Sequence, residues 1–124
     1  MNLKSTVLVT NDVPGLAQFY KEVTGLESTG VEQFQQFQTD AGGWSIVHEA
    51  IVSAELGGAA QAGGNDSMLI GFEVADVDAE FERLKSKVPH VVLEPVTQPW
   101  GNRTFIFRDP DGNNVEFYTR VVSE

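Results

Sequence analysis

At 124 residues the chain is long enough to bury one substantial core, and its 41% hydrophobic and 21% charged residues are ordinary for a globular protein. Eighteen acids against eight lysines and arginines give a net charge of −10, which argues against nucleic acid and anionic membrane as partners, because phosphates demand basic patches. With no cysteine there is no disulfide framework, thiolate metal site or cysteine nucleophile. The first residues, MNLKSTVLVTND, hold no long apolar run, so neither signal peptide nor membrane span is expected and a cytoplasmic location is the default.

Residues 5–10 are rich in β-branched side chains and predict a strand. Asn11-Asp12 then supplies helix N-cap chemistry, and Pro14 suits a first turn, where its missing N–H would be unpaired anyway. Val13, Leu16, Ala17, Tyr20 and Val23 recur at helical spacing and form one apolar face, and Gly25 can end the helix in a left-handed conformation. A short strand near 26–29, a strand over 33–39, a turn at Asp40-Ala41-Gly42-Gly43 and a strand over 44–50 follow. Residues 54–67, AELGGAAQAGGNDS, hold four glycines and predict a flexible connector.

After the connector the order begins again. Residues 68–74 predict a strand. Asp76 caps a helix with Asp78 and Glu80 in its first turn and Arg83, Lys85 and Lys87 towards its end, a polarity that matches the helix dipole. Val77, Phe81, Leu84 and Val88 give its apolar face, and Pro89 stops it. A short strand at 91–94 and a loop at 95–101 lead into WGNRTFIFRDPDGNNVEFYTR, residues 100–120. This stretch reads as a hairpin, with turn chemistry at Asp109-Pro110-Asp111-Gly112 and apolar residues alternating on both sides.

Both halves therefore read β-α-β-β-β. A shift of 64 carries Asn11-Asp12-Val13 onto Ala75-Asp76-Val77, and a shift of 69 carries the Asp40–Gly43 turn onto Asp109–Gly112. The chain is an internal repeat: one α+β domain over 1–124, made of a first module at 1–53, a glycine-rich linker at 54–67 and a second module at 68–124.

A tandem βαβββ repeat with a D-P-D-G turn followed by V-E-F-Y at 115–118 resembles the vicinal oxygen chelate superfamily, which includes glyoxalases, bleomycin resistance proteins and extradiol dioxygenases. FYKEVTGLE at 19–27 resembles the end of that family's first helix. The resemblance implies two modules whose sheets curve around a cleft, in a homodimer, with any catalytic metal held by four symmetric strand positions. Those positions fall here on Ser5, Val47, Leu69 and Glu116. Valine and leucine cannot ligate, serine is a poor ligand, and one carboxylate does not hold a divalent ion. No metal site and no cofactor is therefore expected.

If the two tight turns set the register, His48 faces the helix layer with Phe37 and Ile46, as a structural histidine. The other face then presents Phe34, Val47 and Glu49 in the first module and Arg103, Phe105, Phe107, Glu116 and Tyr118 in the second. Phe105 should oppose Glu116, and Arg103 should oppose Tyr118, leaving Arg103 within diagonal reach of Glu116. That pair either neutralises itself within the sheet or leaves Glu116 to bind a cationic or hydrogen-bond-donating ligand group. Trp100, in Gln98-Pro99-Trp100-Gly101, resembles the pocket rim of the bleomycin-type proteins, where a tryptophan stacks on flat rings. It otherwise packs on the domain or at a dimer interface, and Trp44, beside a turn, is expected to cap a sheet edge.

The expected function is a metal-free small-molecule-binding protein resembling antibiotic-sequestering members. Trp100, Arg103, Phe105, Glu116, Tyr118, Phe34 and Val47 would line the site for an aromatic or amphipathic ligand. The alternative is a glyoxalase- or dioxygenase-like enzyme, metal-dependent or using Glu116 as acid or base.

Overall fold

A computed structural model describes residues 1–121, so the last three residues of the expected second module lie outside the described residues. The elements run β1 (Ser5–Thr10), α1 (Val13–Thr24), β2 (Ser28–Val31), β3 (Phe34–Gln38), β4 (Gly43–His48), α2 (Glu49–Glu55), β5 (Leu69–Glu73), α3 (Val77–Leu84), β6 (His90–Thr97), β7 (Asn102–Arg108) and β8 (Asn114–Arg120). They fall into two compact units, Met1–Gly64 and Asn65 onward. Each unit carries a four-stranded mixed sheet, ordered β1-β4-β3-β2 in the first and β5-β8-β7-β6 in the second. The two sheets share one plan. The first and last strands of each unit pair parallel, and the remaining pairs are antiparallel. This is the α+β architecture of two βαβββ modules.

The two longer helices start on the same chemistry. The Asp12 carboxylate accepts from Gly15 N at 3.0 Å, and Asp76 accepts from Ala79 N at 3.1 Å, each satisfying a backbone donor that the first helical turn leaves open. Gly25 ends α1 at φ 74° with its N–H on Lys21 O, a conformation that an L side chain resists. Helix α3 ends at Leu84, earlier than expected, and the chain continues in turns closed by Lys87 N and Val88 N on Leu84 O. Of the expected cations only Arg83 lies in its last turn.

Each core lies between a helix and one sheet face. In the first unit Tyr20 of α1 packs edge-on against Phe37 and Trp44, which stack with ring centroids 4.7 Å apart. Trp44 therefore does not cap a sheet edge. It stands on β4, an interior strand, and its side chain is buried beneath α1. In the second unit Phe105, Phe107 and Phe117 form the buried cluster, with Phe81 of α3 edge-on to Phe105 at 5.2 Å.

Two further segments depart from the sequence expectation. The strand expected to run to residue 50 stops at His48, and a helix follows directly. His48 Nδ1 accepts from Ala50 N at 3.0 Å and caps α2, while Val52 is its buried anchor. Glu49 consequently leaves the sheet face expected for it, and its Oε1 accepts from Ala62 N at 2.7 Å. Strand β6 is longer than the expected 91–94. It absorbs Pro95 through register shifts between Val91 and Leu93 and between Leu93 and Val96, which an outer strand tolerates because one side of its backbone has no partner to lose.

Candidate functional site

The facing of every candidate residue follows from strand register. In the first unit Phe34 pairs with Val47, Gln36 with Ser45 and Phe37 with Trp44. Because Phe37 and Trp44 meet α1, Phe34 and Val47 lie side by side on the opposite face. The first-unit facing is the expected one, although the turn spans 39–42 instead of 40–43, and His48, paired with Thr10, is on the α1 side.

The second-unit register is displaced by one residue. Four residues, 39–42, separate the closing pair Gln38 and Gly43, but five, 109–113, separate Arg108 and Asn114. The cause is the buried Asp109 side chain. Its Oδ1 accepts from the backbone N–H of both Asp111 and Asn113 at 2.9 Å, and its Oδ2 accepts from Asn113 Nδ2 at 2.7 Å. These bonds hold Asn113 inside the turn. One extra turn residue moves all of β7 to the other face relative to β8.

Phe105 therefore opposes Phe117, not Glu116, and Arg103 opposes Thr119, not Tyr118. Phe105 is fully buried in the core against Phe81, as is Phe107, so neither forms a wall of the face that carries Glu116. Arg103 turns to α3 instead. Its Nε donates to Asp78 Oδ2 at 2.8 Å and its Nη2 to Asp78 Oδ1 at 2.9 Å, with Nη1 on Thr97 Oγ1 at 3.1 Å. The bond from Arg103 holds the Asp78 carboxyl below the usual carboxylate range, and Asp78 raises the Arg103 guanidinium in turn. Of the two alternatives for Arg103 and Glu116, mutual neutralisation does not occur.

Glu116 and Tyr118 do share the face opposite α3, and they flank Gly71. A methyl group on Gly71 would stand 3.6 Å from Glu116 Oε1 and 3.7 Å from Tyr118 Cε1, so the carboxylate and the ring both lie over bare backbone. Register adds Ile106 beside Glu116, with Leu93 next in the row, and Thr104 beside Tyr118, with Val96 next. Glu116 and Tyr118 are half-buried. Among the described residues Glu116 makes no ion pair and no side-chain hydrogen bond. Thr104 is 2% exposed, and its hydroxyl has no partner among the described residues. Sequence reasoning passed over Thr104 and Gly71, and its register put Ile106 on the helix-covered face, where the observed pairing with Glu116 does not leave it. The signal for Thr104 and Ile106 is an Asp that opens a turn and an Asn four residues on, which together lengthen the turn.

Trp100 stands 72% exposed in the β6–β7 connection, a turn closed by Gly101 N on Gln98 O and Gln98 N on Asn102 O. It is not packed on its own unit. The structure thus groups Glu116 with Tyr118, and Phe34 with Val47, and sets Arg103 and Phe105 elsewhere.

The four positions where the family resemblance implies metal ligands keep their expected facing. Ser5 and Val47 are on the face opposite α1, and Leu69 and Glu116 are on the face opposite α3. Their chemistry does not fit a divalent ion, since two carry no donor atom. Among the described residues no three His, Asp or Glu side chains form a group able to hold a metal. None of the described helices is long and apolar enough to cross a membrane.

Comparison with known proteins agrees with this architecture. The model of the Glyoxalase/Bleomycin resistance protein/Dioxygenase superfamily matches residues 2–117. The uncharacterized protein YraH of Bacillus subtilis is 30% identical over 129 residues, spanning 95% of this chain and 98% of that protein. A protein of unknown function from Agrobacterium tumefaciens, seen in a crystal structure, is 28% identical with a TM-score of 0.83, over 98% of this chain and 95% of that one. A glyoxalase/bleomycin resistance protein/dioxygenase from Nocardioides, 18% identical, superposes with a TM-score of 0.82 over 100% of this chain and 86% of that one, a likeness of fold.

Proposed function

The chain belongs to the glyoxalase/bleomycin resistance protein/dioxygenase superfamily, and from that premise we propose that it binds a small amphipathic molecule without a metal ion. The observation that carries the proposal is the Glu116 carboxylate. It stands half-buried on the face opposite α3, between Gly71 and Ile106, and no cation of the described residues neutralises it. A partly desolvated carboxylate is costly to leave unpaired. A ligand group that donates a hydrogen bond to it gains accordingly, while Tyr118, Ile106 and Leu93 offer apolar contact around it. Trp100, exposed at the β6–β7 turn, is free to stack on a flat ring. Association into a homodimer is part of the proposal, supported by the outer strands of each sheet, whose free backbone edges can pair with another chain.

A thermal-shift screen of drugs and metabolites, run on wild type and Glu116→Gln, tests this directly. Ligands that raise the wild-type midpoint equally with and without EDTA, and fail to raise that of Glu116→Gln, are expected. Stabilisation that disappears with EDTA would contradict the metal-free proposal. The same free carboxylate favours a second reading, in which Glu116 is a catalytic base; turnover lost in Glu116→Gln with binding retained would select it.

A further inference from the structure

One polar group on the Glu116 face is unexplained by packing. Thr104 is 2% exposed, and its Oγ1 has no hydrogen-bond partner among the described residues. A buried hydroxyl without a partner is destabilising, and valine, of the same shape, would remove the cost. The position is set by register. Thr104 lies directly across from Tyr118 and one step along β7 from Ile106, which is the partner of Glu116. By register the idle hydroxyl and the unneutralised carboxylate are therefore diagonal neighbours on one sheet face.

We propose that Thr104 and Glu116 form the two ends of one anchor for an organic cation bearing at least two N–H donors, of the amidinium, guanidinium or primary ammonium class. This rests on the ligand-binding function proposed above and names the ligand's polar head. One N–H bonds the Glu116 carboxylate in a charge-assisted contact, and a second donates to Thr104 Oγ1. Tyr118, half-buried, directly across from Thr104 and with its ring over Gly71, stands beside the anchor, where its ring covers the bound cation, a cation–π arrangement. A metal ion is disfavoured at this anchor because one carboxylate and one neutral hydroxyl are too few ligands. An anion is disfavoured by the carboxylate itself. The threonine is thus a cost of the ligand-free molecule that the bound ligand removes.

The test titrates benzamidinium chloride into wild type, Thr104→Val, Thr104→Ser and Glu116→Gln, followed by calorimetry or NMR shifts. Benzyltrimethylammonium, which has the ring and the charge but no N–H, is the control. Thr104→Val should weaken benzamidinium by about tenfold, with Thr104→Ser within about twofold of wild type. The control should be insensitive to Thr104→Val. Ligand-free Thr104→Val should melt at or above the wild-type temperature. If Thr104→Val does not fold, Thr104→Ala supplies the same readout of affinity. Benzamidinium binding that depends on Glu116 but is unchanged in Thr104→Val would overturn this inference alone, leaving the hydroxyl to a buried water. Benzamidinium binding indifferent to both residues, or absent altogether, would likewise overturn this inference, while the underlying proposal stands or falls on the thermal-shift screen of wild type and Glu116→Gln.

Discussion

The two units are built to one plan and differ in what they display. Each pairs its first and last strands parallel and covers one sheet face with a helix that starts on an aspartate. On the other face the first unit places Val47 beside Phe34, while the second places Glu116 beside Ile106. The first unit turns directly into α2 after His48, where β8 continues through Tyr118 to Arg120. Repetition has kept the pairing and the core, which are fixed by backbone hydrogen bonds and helix contact. The faces opposite the helices have diverged. On the proposed reading a ligand's polar group would meet a carboxylate unpaired among the described residues in the second unit, and in the first only apolar, amide and hydroxyl side chains at the matching rows.

The largest test of this contrast compares two phenylalanines. Phe105→Ala removes a fully buried ring and should lower unfolding free energy in urea by about 3–5 kcal/mol. Phe34→Ala, on the open face of the first unit and 37% exposed, should cost about 1 kcal/mol. Equal losses would mean that the two faces are not distinguished as described.

The turns come next. Asp109→Ala strands the N–H groups of Asp111 and Asn113 and the Asn113 side chain, a loss of about 3 kcal/mol in the same assay. Asp40→Ala, at an exposed position of the shorter turn, should stay within about 0.5 kcal/mol of wild type. A similar cost at both would show that the extra residue of the second turn is not held by the Asp109 carboxylate.

The smallest effect belongs to the exposed Arg103–Asp78 pair. Arg103→Ala should lower the melting temperature slightly, less so in high salt. The folded-state pKa of Asp78 is depressed, chiefly by the hydrogen bond from Arg103. The stabilisation is therefore present above the ordinary aspartate value and is lost as pH falls through the lowered one. Melting curves of wild type and variant should converge in acid; a gap that persisted there would assign the effect to packing of the Arg103 stem.

Much of this was legible in the sequence. The caps at Asp12, Asp76 and Gly25, the repeat and the first hairpin are local signals, and local signals survive folding. Two features were not. Helix α2 follows a strand without a loop, and the expected strand ran on through its Glu49 and Ala50; what makes it a helix is the His48 cap and the burial of Val52, and the burial is a tertiary fact. The face of β7 depended on one residue of turn length, decided by the Asp109 side chain. That single residue removed Arg103 and Phe105 from the candidate site and put Thr104 and Ile106 in their place.

The central claim is that Glu116 is a carboxylate held free for a ligand and not a partner in the sheet's own electrostatics. Urea stability and ligand-induced thermal shift, measured together on Glu116→Gln, test it most directly. Stability within about 0.5 kcal/mol of wild type, with the ligand shift abolished, is the expected result. A loss of about 3 kcal/mol or more with the ligand shift intact would mean that Glu116 is a buried structural charge, and would contradict the claim.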